Sequence, residues 1–164
     1  MGDSQAIIRL ADQPGDLGWI VMAHGELYAR EFGWDTTFEA LVARIVADYA
    51  EKHDPAREAT WIAEAGGQRV GCISVVAVDD TTARLRVLLV DPAGRGSGLG
   101  HRLVDLVLDF AREAGYQRIV LWTHDVLTAA VRIYLKAGFV LTSSAPERHF
   151  GADLISQTYE LNLR

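Results

Sequence analysis

Leu88-Leu89-Val90-Asp91-Pro92-Ala93-Gly94-Arg95-Gly96-Ser97-Gly98-Leu99-Gly100 runs a strand-like apolar segment into a proline stop and then into a turn with glycine at every second position from 94 to 100. A helical repeat opens directly behind it. The first amides of a helix have no intrahelical acceptor and lie at the positive end of its dipole, so a strand-to-glycine-to-helix passage suits a diphosphate. Glycine lets the backbone approach such a ligand closely. Arg95 is placed for a charge-assisted contact with a phosphate oxygen, and Ser97 for a hydroxyl contact. The candidate binding segment is Leu88, Leu89 and Val90 with Arg95, Gly96, Ser97, Gly98, Leu99 and Gly100.

Two phosphate-binding alternatives fit less well. No Gly-Lys-Ser/Thr follows, so the lysine and the magnesium-binding hydroxyl of a Walker A loop are missing. The spacing Gly96-x-Gly98-x-Gly100 differs from the GxGxxG of dinucleotide domains. One feature favours that rival: Asp125 lies beyond the next strand, where a ribose-binding acid is expected.

Outward from the loop, Leu99, Leu103, Leu106, Val107, Phe110 and Ala114 recur at helical spacing until Gly115. Residues 118–123 read as a strand. Residues 126–137 read as a helix with Asp125 as N-cap and Gly138 as stop, followed by strands at 139–142 and 156–163. Upstream, 59–65 and 68–78 form a hairpin across Gly66-Gly67, and 83–90 continues the meander. A short strand at 6–10 and a helical region at 15–30, interrupted by Gly18 and Gly25, precede a helix from Thr36. Its spacing to Glu39 suits a capping box, and Phe38, Leu41, Val42, Ile45, Val46 and Tyr49 share one face. The expectation is one α/β (α+β) domain over residues 1–164 with a mixed, mostly antiparallel central sheet flanked by helices.

With 164 residues, 49% hydrophobic and 23% charged, the chain suits a single core. A net charge of −6 without a basic stripe argues against nucleic acid as a partner. No apolar run reaches the roughly 18 to 20 residues of a membrane span, and no signal-peptide pattern opens the sequence, so a cytoplasmic location is expected. Cys72 is the single cysteine, which excludes an internal disulfide, and no metal is expected.

Arg95, Gly98 and Gly100 fit the signature of the GNAT superfamily of N-acetyltransferases, which this sequence resembles. The resemblance extends to the Leu-x-Val-x-Pro lead-in at Leu88, Val90 and Pro92, and to Ala130-Val131-Arg132-Ile133-Tyr134-Leu135-Lys136-Ala137-Gly138-Phe139. It covers nearly the whole chain. The stretch from His24 through Tyr28, Glu31 and Gly33-Trp34-Asp35 to Phe38 is similar to acetyltransferase domains fused behind winged-helix regulators of the multiple-antibiotic-resistance type. No such DNA-binding segment lies within these residues.

The resemblance implies acetyl-CoA as cosubstrate and a small-molecule or peptide amine as acceptor. It also implies Tyr134 as the acid that protonates the departing thiolate, although periodicity alone reads it as a core tyrosine. A backbone N–H near Leu89 would polarise the acetyl carbonyl. Many members carry asparagine seven residues before that tyrosine, where this chain has Leu127, so one cofactor contact is missing. A base must take the amine's proton, and Glu26, Glu31, His24 and His124 are the candidates. Trp34 has no assigned role. The acidic balance points to a cationic amine, and a homodimer through the late strands is implied. Another reading stays open: a non-catalytic acetyl-CoA-binding sensor, which would bind the thioester without releasing its thiol.

Overall fold

The computed structural model describes residues 5–163. Seven strands form one sheet in the order β1-β2-β3-β4-β5-β7-β6, where β1 is Ile7–Leu10, β2 Ala59–Ala65, β3 Gln68–Ala77, β4 Thr82–Val90, β5 Arg118–His124, β6 Val140–His149 and β7 Ala152–Asn162. Every neighbouring pair is antiparallel except β4 and β5. The four helices are α1 (Asp16–Phe32), α2 (Thr36–Lys52), α3 (Leu99–Glu113) and α4 (Thr128–Ala137).

Strand alternation divides the core between the two sheet faces. Ile73, Leu85, Ile119 and Leu121 meet Leu103, Val104 and Val107 of α3 on one side, with α4 packed beside them. On the other, Ile62, Cys72 and Leu89 meet Ile20 and Leu27 of α1 and Val42 and Val46 of α2. A third, aromatic cluster of Trp34, Phe150 and Leu154 closes the end of the sheet where α1 and α2 join.

The helices and late strands depart from the sequence expectation in four places. α1 runs through Gly18 and Gly25, because burial of Ile20, Ala23, His24 and Leu27 outweighs a cost of about 1 kcal/mol per glycine. The cap of α2 is Asp35, whose carboxylate accepts from the Thr37 amide at 3.0 Å, so Thr36 and Glu39 form no capping box. Asp125 does not cap α4. That helix starts at Thr128 after Leu127, and Asp125 instead accepts from the Ile155 amide at 3.3 Å. The last two strands are longer than expected and pair along most of their length, since a long exposed hairpin shows little hydrophobic alternation on its outer strand.

Asp16, fully buried, fastens α1 to the sheet. Its carboxylate accepts from Arg9 Nη1 at 2.7 Å and Nη2 at 3.0 Å, from Arg69 Nε at 2.9 Å and from the Gln13 amide at 2.9 Å. The Arg9 hydrogen bond, with Gln13 and Arg69 adding to it, holds the carboxyl far below the usual range.

Candidate active site

The site begins where the only parallel pair of the sheet comes apart. β4 and β5 are in register at Thr82↔Arg118, Ala83↔Ile119 and Arg84↔Val120, and no pairing continues beyond. A β-bulge lies just past this point. Cys72 faces Leu89 and Ser74 faces Arg86, so Ile73 alone stands opposite both Val87 and Leu88. Val87 has φ 51°, which is rare for a β-branched residue and costs about 1 to 3 kcal/mol. The bulge bends β4 away from β5 and opens a wedge between them.

The register also decides which main-chain groups face that wedge. Asp91 donates to the Val70 carbonyl at 2.8 Å, so Val70 and Asp91 are a hydrogen-bonded pair, Gly71 and Val90 are not, and Cys72 and Leu89 are again. The Leu89 amide therefore faces β3. The Val87 carbonyl also lies on the β3 side, accepting from Cys72 Sγ at 3.1 Å. Across planar trans peptides, the Leu88 N–H and C=O and the Val90 N–H then point the other way, into the wedge. The amide that faces the wedge is thus that of Leu88, one residue before Leu89.

Beyond β4, the Asp91 carboxylate accepts from the Ala93 amide and Pro92–Gly94 forms a 3-10 turn. Gly96 and Gly98 take φ of 84° and 77°, a region that side chains resist, and so turn the chain into α3. Among the described residues, none of the amides from Gly96 to His101 finds a protein acceptor; the first α3 amide to do so is Arg102, on the Gly98 carbonyl at 3.1 Å. Leu99 contributes only its amide, because its side chain is buried in the core. Ser97 Oγ donates to the Gly94 carbonyl at 3.0 Å and so braces the loop. Arg95 is held by Glu31 of α1 through two parallel bonds of 2.8 and 3.0 Å.

Two chambers meet at the wedge. The outer, about 1200 Å³ of empty space, is lined by the glycine loop, Leu88 to Val90, Glu31 and the start of α4. The inner, about 790 Å³, is lined by His24, Trp34, Phe38, Arg84, Arg86, Trp122, His124 and Tyr134 among others. Tyr28, Leu88, Leu127 and Ala130 line both chambers, so the Leu88 amide sits at the passage between them.

Three titratable groups of the inner chamber, Tyr134, His24 and His124, are held in their neutral forms. Tyr134 is 5% exposed, and burial pushes its phenol far above the usual range. His24 Nδ1 lies 2.8 Å from the Ile20 carbonyl; because that oxygen only accepts, the proton is on Nδ1 and the lone pair on Nε2. Burial pushes its pKa down to about 4. His124 is 3% exposed, its Nε2 has no hydrogen-bond partner, and burial, then the nearby His149, lowers its pKa to about 4. Trp34 stands edge-on to His124 at 5.3 Å and closes the chamber wall. Of the four base candidates, His24 and His124 line this chamber, Glu31 lines the outer one against Arg95, and exposed Glu26 lines neither. Sequence reasoning passed over Arg84, Arg86, Trp34 and the bulge at Val87. The pair Arg84-x-Arg86 within an apolar strand was the available signal, because charges two residues apart share a face.

The acetyltransferase (GNAT) family matches residues 20–139. The chain belongs to this family. It is 33% identical over 125 residues to N-acetyltransferase family 8 member 2 of Rattus norvegicus, covering 71% of this chain and 55% of that protein. An uncharacterized N-acetyltransferase of Schizosaccharomyces pombe is 32% identical over 144 residues, 87% of each chain. The chain spans about half the length of the mammalian relatives it matches. Its fold is shared with an acetyltransferase from Salmonella typhimurium solved with acetyl-CoA (TM-score 0.77, 22% identity, 98% of this chain and 95% of that one). It is shared too with spermidine N-acetyltransferase from Vibrio cholerae, solved with CoA and spermine (TM-score 0.74, 20% identity, 98% and 97%).

Proposed function

We propose that this GNAT domain moves an acetyl group from acetyl-CoA to a primary amine of a small molecule or peptide. The observation that carries the reading is the pair of chambers joined at Leu88, with acceptor-free amides on the outer side and neutral Tyr134 and His124 on the inner. The amides from Gly96 to His101 would hold the diphosphate, with Arg95 exchanging Glu31 for a phosphate oxygen. The Leu88 and Val90 main-chain groups would take the pantetheine arm in the manner of an added strand.

The Leu88 N–H is aimed where the thioester oxygen gains charge, a role worth about 3 to 4 kcal/mol of barrier. His124 Nε2 accepts the proton that the amine loses as its nitrogen bonds to the acetyl carbon. Tyr134 gives its proton to the thiolate as the carbon–sulfur bond breaks. Leu127 supplies no polar contact to the cosubstrate, because its side chain packs with the aromatic cluster of Trp34 and Phe150.

Thiol release from acetyl-CoA over a panel of amines tests the reading. Release with at least one amine, lost in Tyr134→Phe, is expected. Binding of acetyl-CoA without release on any amine would overturn it in favour of a sensor.

The same reading keeps the protein in the cytoplasm, acting on a soluble amine without nucleic acid or membrane as partner. No helix among the described residues is long and apolar enough to cross a membrane. The nearer likeness to domains carried behind winged-helix regulators rests on the segment from His24 to Phe38. A homodimer would use the edge strand β6, which exposes Val140 and Leu141; sedimentation at several concentrations checks it, a monomer throughout being the contrary result.

A further inference from the structure

Two guanidinium groups in the inner chamber have no part in the transfer just described. Arg84 and Arg86 stand two residues apart on β4, so their side chains leave the same face of the sheet, and both are part-buried in the chamber wall across from α2. Among the described residues neither forms an ion pair or a side-chain hydrogen bond. Neither is stacked on a ring; the guanidinium that does stack is that of Arg57, over Tyr116. Burial, and then the charge of Arg84, lowers the pKa of Arg86, while Asp48 of α2 acts on it only through space.

Two like charges, partly out of water and with no carboxylate in contact, are a standing cost to the fold that the more distant Asp48 offsets only in part. Arg9 and Arg69, also part-buried, are each paired with the Asp16 carboxylate. An anion in the chamber would remove the cost. Beside the arginines the wall is aromatic: Tyr28 and Phe38 are stacked at 4.8 Å and Trp34 stands edge-on to Phe38 at 4.8 Å, with Trp122 half-exposed at the rim.

We propose that the acceptor is an amine bearing a carboxylate and an aromatic or bulky apolar body. The carboxylate lies between Arg84 and Arg86, and the body against Trp34, Phe38 and Trp122. This rests on the transfer reading above for the amine, and on the chamber alone for the acid. A polyamine would meet two like charges here, so the cationic acceptor suggested by net charge is reversed by the local field: the −6 total is summed over the whole surface, whereas these two positive groups face the reaction space.

Two probe pairs test it on the full chain. In thiol release with acetyl-CoA, L-phenylalanine is compared with 2-phenylethylamine, which has the same ring and amine without the acid, each corrected for its fraction of free amine. Phenylalanine is expected to have the higher kcat/KM by roughly ten- to hundredfold, the span of a charge-assisted contact, with the advantage falling at least about tenfold in Arg84→Gln or Arg86→Gln. By calorimetry, 3-phenylpropanoate should bind about tenfold tighter or more than 3-phenylpropanol, which needs neither turnover nor a variant that folds. Equal turnover of the two amines, equal binding of acid and alcohol, or no binding of the acid overturns the proposal. If no amine releases thiol while the acid still outbinds the alcohol, the anion subsite stands and the transfer reading fails.

Discussion

Burial keeps both Tyr134 and His124 uncharged at neutral pH, which the proposed transfer requires: the phenol retains a proton to give and the imidazole a lone pair to receive one. Tyr134→Phe should therefore lower kcat by about a hundredfold while changing acetyl-CoA affinity by less than about twofold, as read by steady-state kinetics beside calorimetry. Unchanged kcat would reduce Tyr134 to the packing residue that its periodicity alone describes. Arg95 poses a different question, since its two bonds to Glu31 occupy the fork that the proposed function assigns to phosphate. The pair is substantially exposed, so exchanging partners costs about 1 kcal/mol or less. Glu31→Gln should tighten acetyl-CoA binding about threefold and Arg95→Ala should weaken it, both by calorimetry; a weaker Glu31→Gln would mean that the carboxylate positions Arg95 rather than competing for it.

At the scale of the element, the glycine loop and the bulge serve one end by different means. Gly98 at φ 77° sets the direction in which α3 begins, and nothing crowds the space where a Cβ would stand. Gly98→Ala should then cost about 1 kcal/mol through backbone strain alone and misaim the first α3 amides. Denaturant melts and acetyl-CoA calorimetry check the two effects, and retention of both would show that the left-handed turn is dispensable. The loop was legible in the sequence because its signal is local: strand, proline, alternating glycines, helix. The bulge was not. Val87 is an ordinary strand residue by type, and only the pairing of Cys72 with Leu89 and Ser74 with Arg86 shows that one residue is in excess. For the same reason the sequence could not say whether the Leu88 or the Leu89 amide faces the wedge, since a one-residue change of phase turns every main-chain group to the opposite side.

Across the whole molecule, acid should loosen the fold through its buried histidines. His24 and His124 have folded pKa values of about 4 against about 6.5 in an unfolded chain, so between those limits the unfolded state binds more protons. Their contribution is complete above about pH 6.5 and is lost as pH falls toward 4, by roughly 3 kcal/mol for each histidine. Melting temperatures at pH 7, 6 and 5 should fall accordingly and fall less in His24→Gln with His124→Gln; a flat profile would mean that the histidines are solvated. Asp16 titrates in the other sense and well below this window, so it adds no loss until the solution is more acidic still. Asp16→Asn should nevertheless cost about 3 kcal/mol at neutral pH, because it leaves Arg69 without a carboxylate and Arg9 with Glu64 as its remaining acidic partner.

Element order, the glycine loop and the position of Tyr134 before its Gly-Phe stop were settled by residue type and short spacing, since capping, turn chemistry and periodicity act over a few residues. Tertiary structure alone decided which polar groups share a void. His24, Trp34, Arg84 and Arg86, Trp122, His124 and Tyr134 come from five elements or their connections, and nothing in their spacing makes them neighbours. The inner chamber exists because a parallel strand pair parts after three residues and helices close over the gap, and burial there removes the histidines' charge while leaving two arginines with no carboxylate in contact.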